Sequence, residues 1–459
     1  MMKLSEAAAA LGAELRGADA ELTSVGSDTR ALAAGQLFVA LRGENFDGHD
    51  FLAQAAEGGA AAALIDQRHA DAATEWPLPC VVVADTRLAL GTLAAWWRGR
   101  FNLPLIGVTG SNGKTTVKEM CAAILRAQAR LDGADDSVVL ATVGNLNNDI
   151  GMPMMLLRLR PTHRFAVIEM GMNHPGEIDY LTRIACPTVA LVNNAQRAHL
   201  AGMGGLDAVA IEKGAIYNGL GDTGIAVVNA DDPHADRWIA TNVGRPCIRF
   251  AMNADAEVRA SADLGALDAR VVLDTPQGEV RFTLQVPGVH NVRNAAAAAA
   301  AALAAGASLQ AVSDGLGGYT GTKGRLQMRR AAGSGATLLD DTYNANPDSV
   351  RAGLDVLAMT AGRKVFVFGD MGEIGDRAAQ YHDEIGGYAK SQGVDVMLAL
   401  GEHSAVAARN FGEGGRHFGD IETLIAALRE TLTPDTVVLV KGSRFMKMER
   451  VVDALASAD

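Results

Sequence analysis

The chain has 459 residues, 49% of them hydrophobic, a formal net charge of -12 and only 4 cysteines. At roughly 150 residues per domain that length predicts about three domains rather than one core. The acid excess argues against a broad nucleic-acid footprint and for small ligands held at local basic sites.

Cys80, Cys121, Cys186 and Cys247 are dispersed without metal-type or redox-type spacing, which predicts core residues in a reducing cytosol. Glu6 and Glu14 interrupt the apolar character near the start, and no basic stretch precedes a sustained apolar run, so no signal peptide is expected. Residues up to Asn102 alternate short strand-like runs (37–41, 62–65, 80–83) with alanine-rich helical stretches, the pattern of a small α/β domain. Within it, Ser27, Asp28, Thr29 and Arg30, and the run from Arg42 through Asn45 to His49, concentrate polar side chains beside strands. Such clusters serve either as ligand contacts or as plain surface turns.

The stretch that organises the chain follows. The apolar run from Leu105 enters Gly110-Ser111-Asn112-Gly113-Lys114-Thr115-Thr116, and a helix-competent segment from Val117 to Gln128 leaves it. A glycine-rich turn between strand and helix lets backbone N–H groups wrap an anion at the helix N-terminus. In that frame Lys114 reaches the β- and γ-phosphates of a nucleotide and the Thr115 hydroxyl sits on Mg²⁺. The strict G-x-x-x-x-G-K-[ST] spacing fails, because Val108 stands where it needs glycine and Gly107 and Gly110 are offset.

Strand candidates then recur at 165–170, 189–193 and 225–229, the alternation of a doubly wound sheet whose ligands gather at the carboxyl ends of its strands. Glu169 falls at one such end, where a carboxylate completes a metal site with Thr115. His199 falls beyond another; a histidine in that place is a ligand or an ordinary loop residue. Lys213 reads from its neighbours as a routine helix lysine. Residues 247–286 change to short alternating strands, read as an antiparallel appendage, and the alanine tract from Ala295 to Ala307 is too short to span a membrane and reads as a packed helix. Glycine and turn residues from Gly315 to Gly324 suggest a hinge. Beyond it, runs at 338–340, 365–368, 396–400 and 437–440 predict a third α/β domain. In it, Asp340 to Pro347 offers carboxylates and amides suited to ribose or base contacts, or an acidic turn that caps a helix.

Together these residues resemble the Mur ligase family, the ATP-dependent amide-bond ligases of peptidoglycan precursor synthesis. The resemblance spans essentially the whole chain and rests on the offset glycine loop, Gly144 to Gly151, Asp341 to Asn346, Gly369 to Glu373 and Lys441 to Arg444. The last four are most similar to members that join D-alanyl-D-alanine to a UDP-N-acetylmuramoyl-tripeptide. The resemblance implies an α/β fold of three domains: an N-terminal UDP-precursor-binding domain (1–102), a central P-loop domain with a mostly parallel sheet and a small antiparallel appendage (103–318), and a C-terminal Rossmann-like ligase domain (319–459).

It further implies that Gly110 to Thr116 bind ATP phosphates, that Thr115 and Glu169 hold a first Mg²⁺, that His199 serves a second, and that Lys213 is the family's carbamylated lysine, an anionic metal ligand. Asn294 becomes the adenine contact, Arg325 a phosphate contact and Asp341 the ribose contact. Ser27 to Arg30 and Asn45 fall on the implied UDP-binding surface. Asn145, Asn147, Asn148 and Asp149 fall where the muramoyl peptide is expected, with Tyr343, Asn344, Asn346, Lys441, Ser443 and Arg444 on the substrate side of the C-terminal domain. The implied partners are small molecules, with neither nucleic acid nor membrane, and a cytoplasmic monomer is expected. Two alternatives stand beside this reading. A folylpolyglutamate synthase would carry a D-G-A-H-N run, whereas Asp341 is followed by Thr-Tyr-Asn-Ala-Asn; a non-catalytic nucleotide-binding regulator would be expected to lack Lys114, Glu169 or Lys213, and all are present.

Overall fold

A computed structural model describes residues 1–71 and 78–456. Three sheets carry the chain, with a two-stranded pairing of Met2–Lys3 and Glu21–Leu22 at its start. The first is five-stranded, ordered Glu14–Arg16, Cys80–Val83, Ala62–Asp66, Gln36–Val39, Ser24–Gly26, and is parallel except for its first pair.

The central sheet has nine strands. Leu105–Thr109 lies inside it, paired in parallel with Phe165–Glu169 on one side and Val189–Val192 on the other. The chain therefore winds first to one side of the phosphate-loop strand and then to the other, and the crevice opens at its carboxyl end. The alternating strands Val258–Leu264, Ala269–Thr275 and Gly278–Leu284 are antiparallel to one another but continue this same sheet, because Val258–Leu264 pairs in parallel with Cys247–Ala251. The alanine tract forms the helix Val289–Ala304, with Ala295 to Ala302 fully buried. It packs with the helices Lys114–Leu131 and Leu309–Gly317 in one core. The approach is tight at Gly315, where a Cβ would stand 2.5 Å from the Ile124 Cα.

The third sheet is six-stranded, ordered Gln327–Arg330, Thr337–Asp341, Thr436–Lys441, Arg363–Gly369, Val396–Leu400, Gly415–Phe418, with only its first pair antiparallel. Two separate apolar cores cover its faces. The first domain is attached differently. Leu90, Leu93 and Trp97 of the helix Thr86–Arg98 share one continuous core with Met152, Leu156, Ile178 and Leu181 of the central domain. Trp97 Nε1 also donates to the Leu159 carbonyl at 3.1 Å. No described helix is long and apolar enough to cross a membrane.

Candidate active site

The phosphate loop is built by its neighbours. Asn194 accepts the Ser111 amide on its carbonyl at 3.0 Å and the Asn112 amide on its side-chain oxygen at 2.9 Å, while the Asn193 side-chain amide donates to the Asn112 carbonyl at 2.9 Å. Gly113 takes φ +78°, and a Cβ there would lie 2.5 Å from Asn294 Oδ1 and 2.6 Å from Asn193 Nδ2, so both backbone and space demand glycine. The helix Lys114–Leu131 starts there, leaving its first amides free for an anion. Lys114 folds back, donating to the Gly110 and Ser111 carbonyls at 2.8 and 3.2 Å, and desolvation pushes its amine down to about 8.

Glu169 ends its strand 2% exposed. Its Oε1 accepts from Asn147 Nδ2 at 2.7 Å, but its buried Oε2 has no partner. A buried carboxylate oxygen without a donor is costly and calls for a cation. Lys213 is fully buried and its amine has no hydrogen-bond partner either. Desolvation holds that amine well below the usual lysine range. Its neighbour Glu212 faces elsewhere, accepting the Gly176 and Ile178 amides at 2.9 and 2.8 Å.

His199 and Glu373 both adopt left-handed backbones, φ 57° and 60°, rare for residues with side chains. They meet across the domains, with Nδ1 2.9 Å from Glu373 Oε2, a bond that holds the Glu373 carboxyl below its usual range. Arg325 lies over the Tyr343 ring at 3.9 Å and donates to Thr115 Oγ1 at 3.3 Å. Asp341 accepts from Lys441 Nζ at 2.6 Å, and that amine also donates to the Asn344 carbonyl at 3.0 Å. Asn346 caps the helix Pro347–Met359 and donates to Asn112 Oδ1 at 2.7 Å.

These groups surround one cleft of about 750 Å³ between the central and C-terminal domains. Ser111, Asn112, Gly113, Lys114, Thr116, Asn147, Asn148, Asp149, Glu169, His199, Asn294, Arg325, Asp341, Tyr343, Asn344, Asn346 and Lys441 line it. Thr115 touches Arg325 at its edge, and Lys213 lies buried behind the wall.

Other expected residues stand apart or serve their surroundings. Ser443 is buried, accepting the Gly372 amide at 2.7 Å and donating to the Ala345 carbonyl at 3.1 Å. Arg444 points to solvent and pairs with Glu449 at 2.8 Å. Asn145 is exposed outside the cleft lining. Asp28 caps the turn Thr29–Ala31 and pairs with Arg30, which holds its carboxyl down to about 2. Ser27 to Arg30 and the exposed Asn45 lie on the first domain, away from the cleft.

Sequence reasoning placed Asn193 and Asn194 at a strand's carboxyl end, where ligands gather, and Glu373 in a family motif, without giving them roles of their own, and it passed over Arg87. Arg87, which grips Asp149 through both oxygens from the first domain, had a legible sign. It stands in the first turn of its helix, where a cation opposes the helix dipole and needs a partner elsewhere.

With this geometry in hand, comparison with known proteins gives the class. Family profiles match at 21–98 (Mur ligase family, catalytic domain), 108–302 (Mur ligase middle domain) and 324–444 (Mur ligase, glutamate ligase domain). The chain belongs to the Mur ligase family. Within it, the chain is 44% identical to the UDP-N-acetylmuramoyl-tripeptide--D-alanyl-D-alanine ligase of Escherichia coli over 98% of each chain. It is also similar to a crystal structure of MurF from Acinetobacter baumannii (TM-score 0.87, 36% identity, 98% of this chain and 97% of that one). MurF ligase from Thermotoga maritima in complex with ADP superposes with TM-score 0.80 at 25% identity, covering 94% and 96%.

Proposed function

We propose that this enzyme joins D-alanyl-D-alanine to UDP-N-acetylmuramoyl-tripeptide at the expense of ATP, giving the pentapeptide precursor, ADP and phosphate in peptidoglycan synthesis. The observation that carries the reading is the single cleft in which the central domain's phosphate loop faces Arg325 and Asp341 of the C-terminal domain. Amide formation from a carboxylate in water is uphill, so the carboxylate must first gain a leaving group. A tripeptide carboxylate oxygen attacks the γ-phosphorus, the bond to ADP breaks, and an acyl phosphate forms. Lys114 leaves the loop carbonyls for the phosphates, and Arg325 offsets the repulsion between two anions. The dipeptide amine then attacks the acyl carbon; the tetrahedral adduct loses its amine proton and expels phosphate. Closing the two domains excludes water from the acyl phosphate.

The residues fit Mg²⁺. Glu169 has an unpartnered oxygen beside the loop that carries Thr115, and Glu373 on Nδ1 of His199 leaves Nε2 as the ligating nitrogen. Bound there, the metal neutralises phosphate charge. Lys213 fits a carbamate: burial without a hydrogen-bond partner disfavours the ammonium, the neutral amine is the form that takes up CO₂, and the product is an anion suited to a metal site. Asn294 would meet adenine and Asp341 the ribose, Lys441 holding Asp341 in place. Asn147 to Asp149 border the muramoyl peptide, while Ser27 to Arg30 and Asn45 receive the uridine end at a distance. The reading takes the enzyme as a cytoplasmic monomer acting on cytoplasmic precursors.

The test is phosphate release with ATP, Mg²⁺ and the muramoyl tripeptide, with and without D-Ala-D-Ala. Release that requires both acceptor and dipeptide is expected. Release indifferent to the dipeptide, or supported equally by a folate and glutamate, overturns the reading.

A further inference from the structure

The segment from Asn193 to His199 grips the phosphate loop with one part and the C-terminal domain with the next. Gln196 donates its backbone N–H to Ser111 Oγ at 2.9 Å and accepts the Asn112 side-chain amide at 2.6 Å. Arg197 turns the other way. Its backbone N–H donates to Asp348 Oδ2 at 2.9 Å, and its Nε and Nη2 reach Asp348 Oδ1 at 2.9 and 2.6 Å. Nη1 and Nη2 also reach Glu384 at 3.2 and 3.4 Å, and the guanidinium lies 5.5 Å from the Tyr381 ring. Arg351 shares Glu384 at 2.9 Å.

One guanidinium thus spans two helices of the opposite domain, Asp348 in the first turn of Pro347–Met359 and Glu384 on Ala378–Ser391. Exposed single ion pairs contribute little to stability. This one differs, because its three side chains are 25% to 31% exposed, two arginines alternate with two carboxylates, and the planar fork meets Asp348 through two nitrogens while the backbone adds a third bond. Asp348 also sits where the helix dipole favours an anion. Asn346 at the same helix end is tied to Asn112, so that end is tethered twice around the phosphate loop.

We propose that Arg197 is the positioning residue that docks the C-terminal domain, so that Arg325 and Asp341 face the phosphate loop before nucleotide arrives. The inference rests on the ligase reading above for its kinetic consequence, but its structural consequence stands without it. A nucleotide held from both domains binds only the docked fraction, so loss of the latch raises the apparent KM for ATP, while saturating substrates redock the domains and preserve kcat.

Arg197→Gln is expected to raise the KM for ATP about tenfold and to leave kcat within about threefold, the size of an ordinary coupling between sites. Small-angle scattering of the ligand-free variant should show a larger radius of gyration than the parent, restored by a non-hydrolysable ATP analogue with the muramoyl tripeptide. Glu384→Gln should show the same pattern more weakly, since Asp348 remains, and adding it to Arg197→Gln should cost nothing further. Should Arg197→Gln fail to fold, Asp348→Asn and Glu384→Gln report the same latch from the other domain. A fall in kcat at unchanged KM would place Arg197 in the chemistry through His199; an unchanged radius, or losses that add in the double variant, would mean that other contacts dock the domain. Either result overturns the proposal. The ligand-free scattering uses no substrate, so it judges the latch even if the parent enzyme shows no dipeptide-dependent phosphate release, which would sink the ligase reading alone.

Discussion

The two outer domains hold the central one by different physics. The first shares an apolar core with it, Leu90, Leu93 and Trp97 lying among Met152, Leu156, Ile178 and Leu181. The third keeps its own cores, against one of which Leu267 of the central domain packs, and meets that domain largely through polar contacts: Arg197 with Asp348 and Glu384, His199 with Glu373, Asn346 with Asn112, Arg325 with Thr115. Apolar burial is non-directional and is lost only when surfaces part, whereas polar contacts in a wet cleft exchange with water at little net cost. The pairing is that of a fixed platform and a moving jaw. In the proposed reaction the platform would offer the acceptor and the central domain the phosphate site, with the jaw completing the site on closing.

The largest effect should come from the charges of the fixed half. Lys114→Ala or Glu169→Ala is expected to lower turnover by roughly a thousandfold or more, as loss of groups that act on developing phosphate charge does. Circular dichroism should be unchanged, since neither belongs to an apolar core. Near-normal turnover in either variant would remove it from the site.

The joint itself comes next. Trp97→Ala should lower stability by about 3–5 kcal/mol, the range for emptying a buried aromatic position, and should loosen the first domain from the centre in calorimetry. Glu384→Ala, at the polar joint, should cost about 1 kcal/mol or less because its pairs with Arg197 across the joint and with Arg351 beside it are partly exposed. Equal losses at both joints would erase the distinction.

Lys213 should follow at roughly a hundredfold loss in kcat on Lys213→Ala, as for a supporting metal ligand. Added acetate or another short carboxylate should restore part of it. Lys213→Arg should be no better, because guanidinium stays cationic and cannot become a carbamate. Full turnover in Lys213→Arg would exclude the carbamate.

These expectations also show where sequence alone was readable. The phosphate loop could be read because its chemistry is local: a glycine with positive φ, a lysine and a threonine in one turn between strand and helix. Glu169 could be read because strand ends have a fixed address in a doubly wound sheet. Lys213 could not be read from its neighbours, since its meaning is its burial without a hydrogen-bond partner, set by residues distant in the chain. The same holds for Arg197, whose partners lie 151 and 187 residues away. The antiparallel strands were visible as alternation, but their continuity with the central sheet depends on a pairing that no local pattern encodes.

The smallest effect concerns acid. His290 starts the helix Val289–Ala304 at the jaw's edge, half-buried in the cleft wall, and desolvation there pushes its pKa down to about 4, with Asp341 and Asp355 pulling up and Lys441 and Arg293 pulling down. Docked, it stays neutral; once the domains part or unfold, it regains the ordinary value of 6.5. The parted state therefore binds more protons as pH falls from 6.5 toward 4, and docking weakens across that window. Above 6.5 the group contributes no pH dependence. Asp28 and Asp47, held near 2, carry the same proton balance, stability falling with pH, but only as pH drops below their ordinary value of 3.8. His163 and His382 are shifted the same way as His290 but remain in both proteins compared. His290→Gln should thus flatten the loss of melting temperature between pH 6.5 and 4.5 by roughly 2 °C, the scale of a sub-kcal/mol to 1 kcal/mol change in a chain of this size. Scattering at pH 5 should show the parent more open than the variant. Identical acid profiles would place His290 in an environment that docking does not change, and would leave the jaw held by its ion pairs and hydrogen bonds alone.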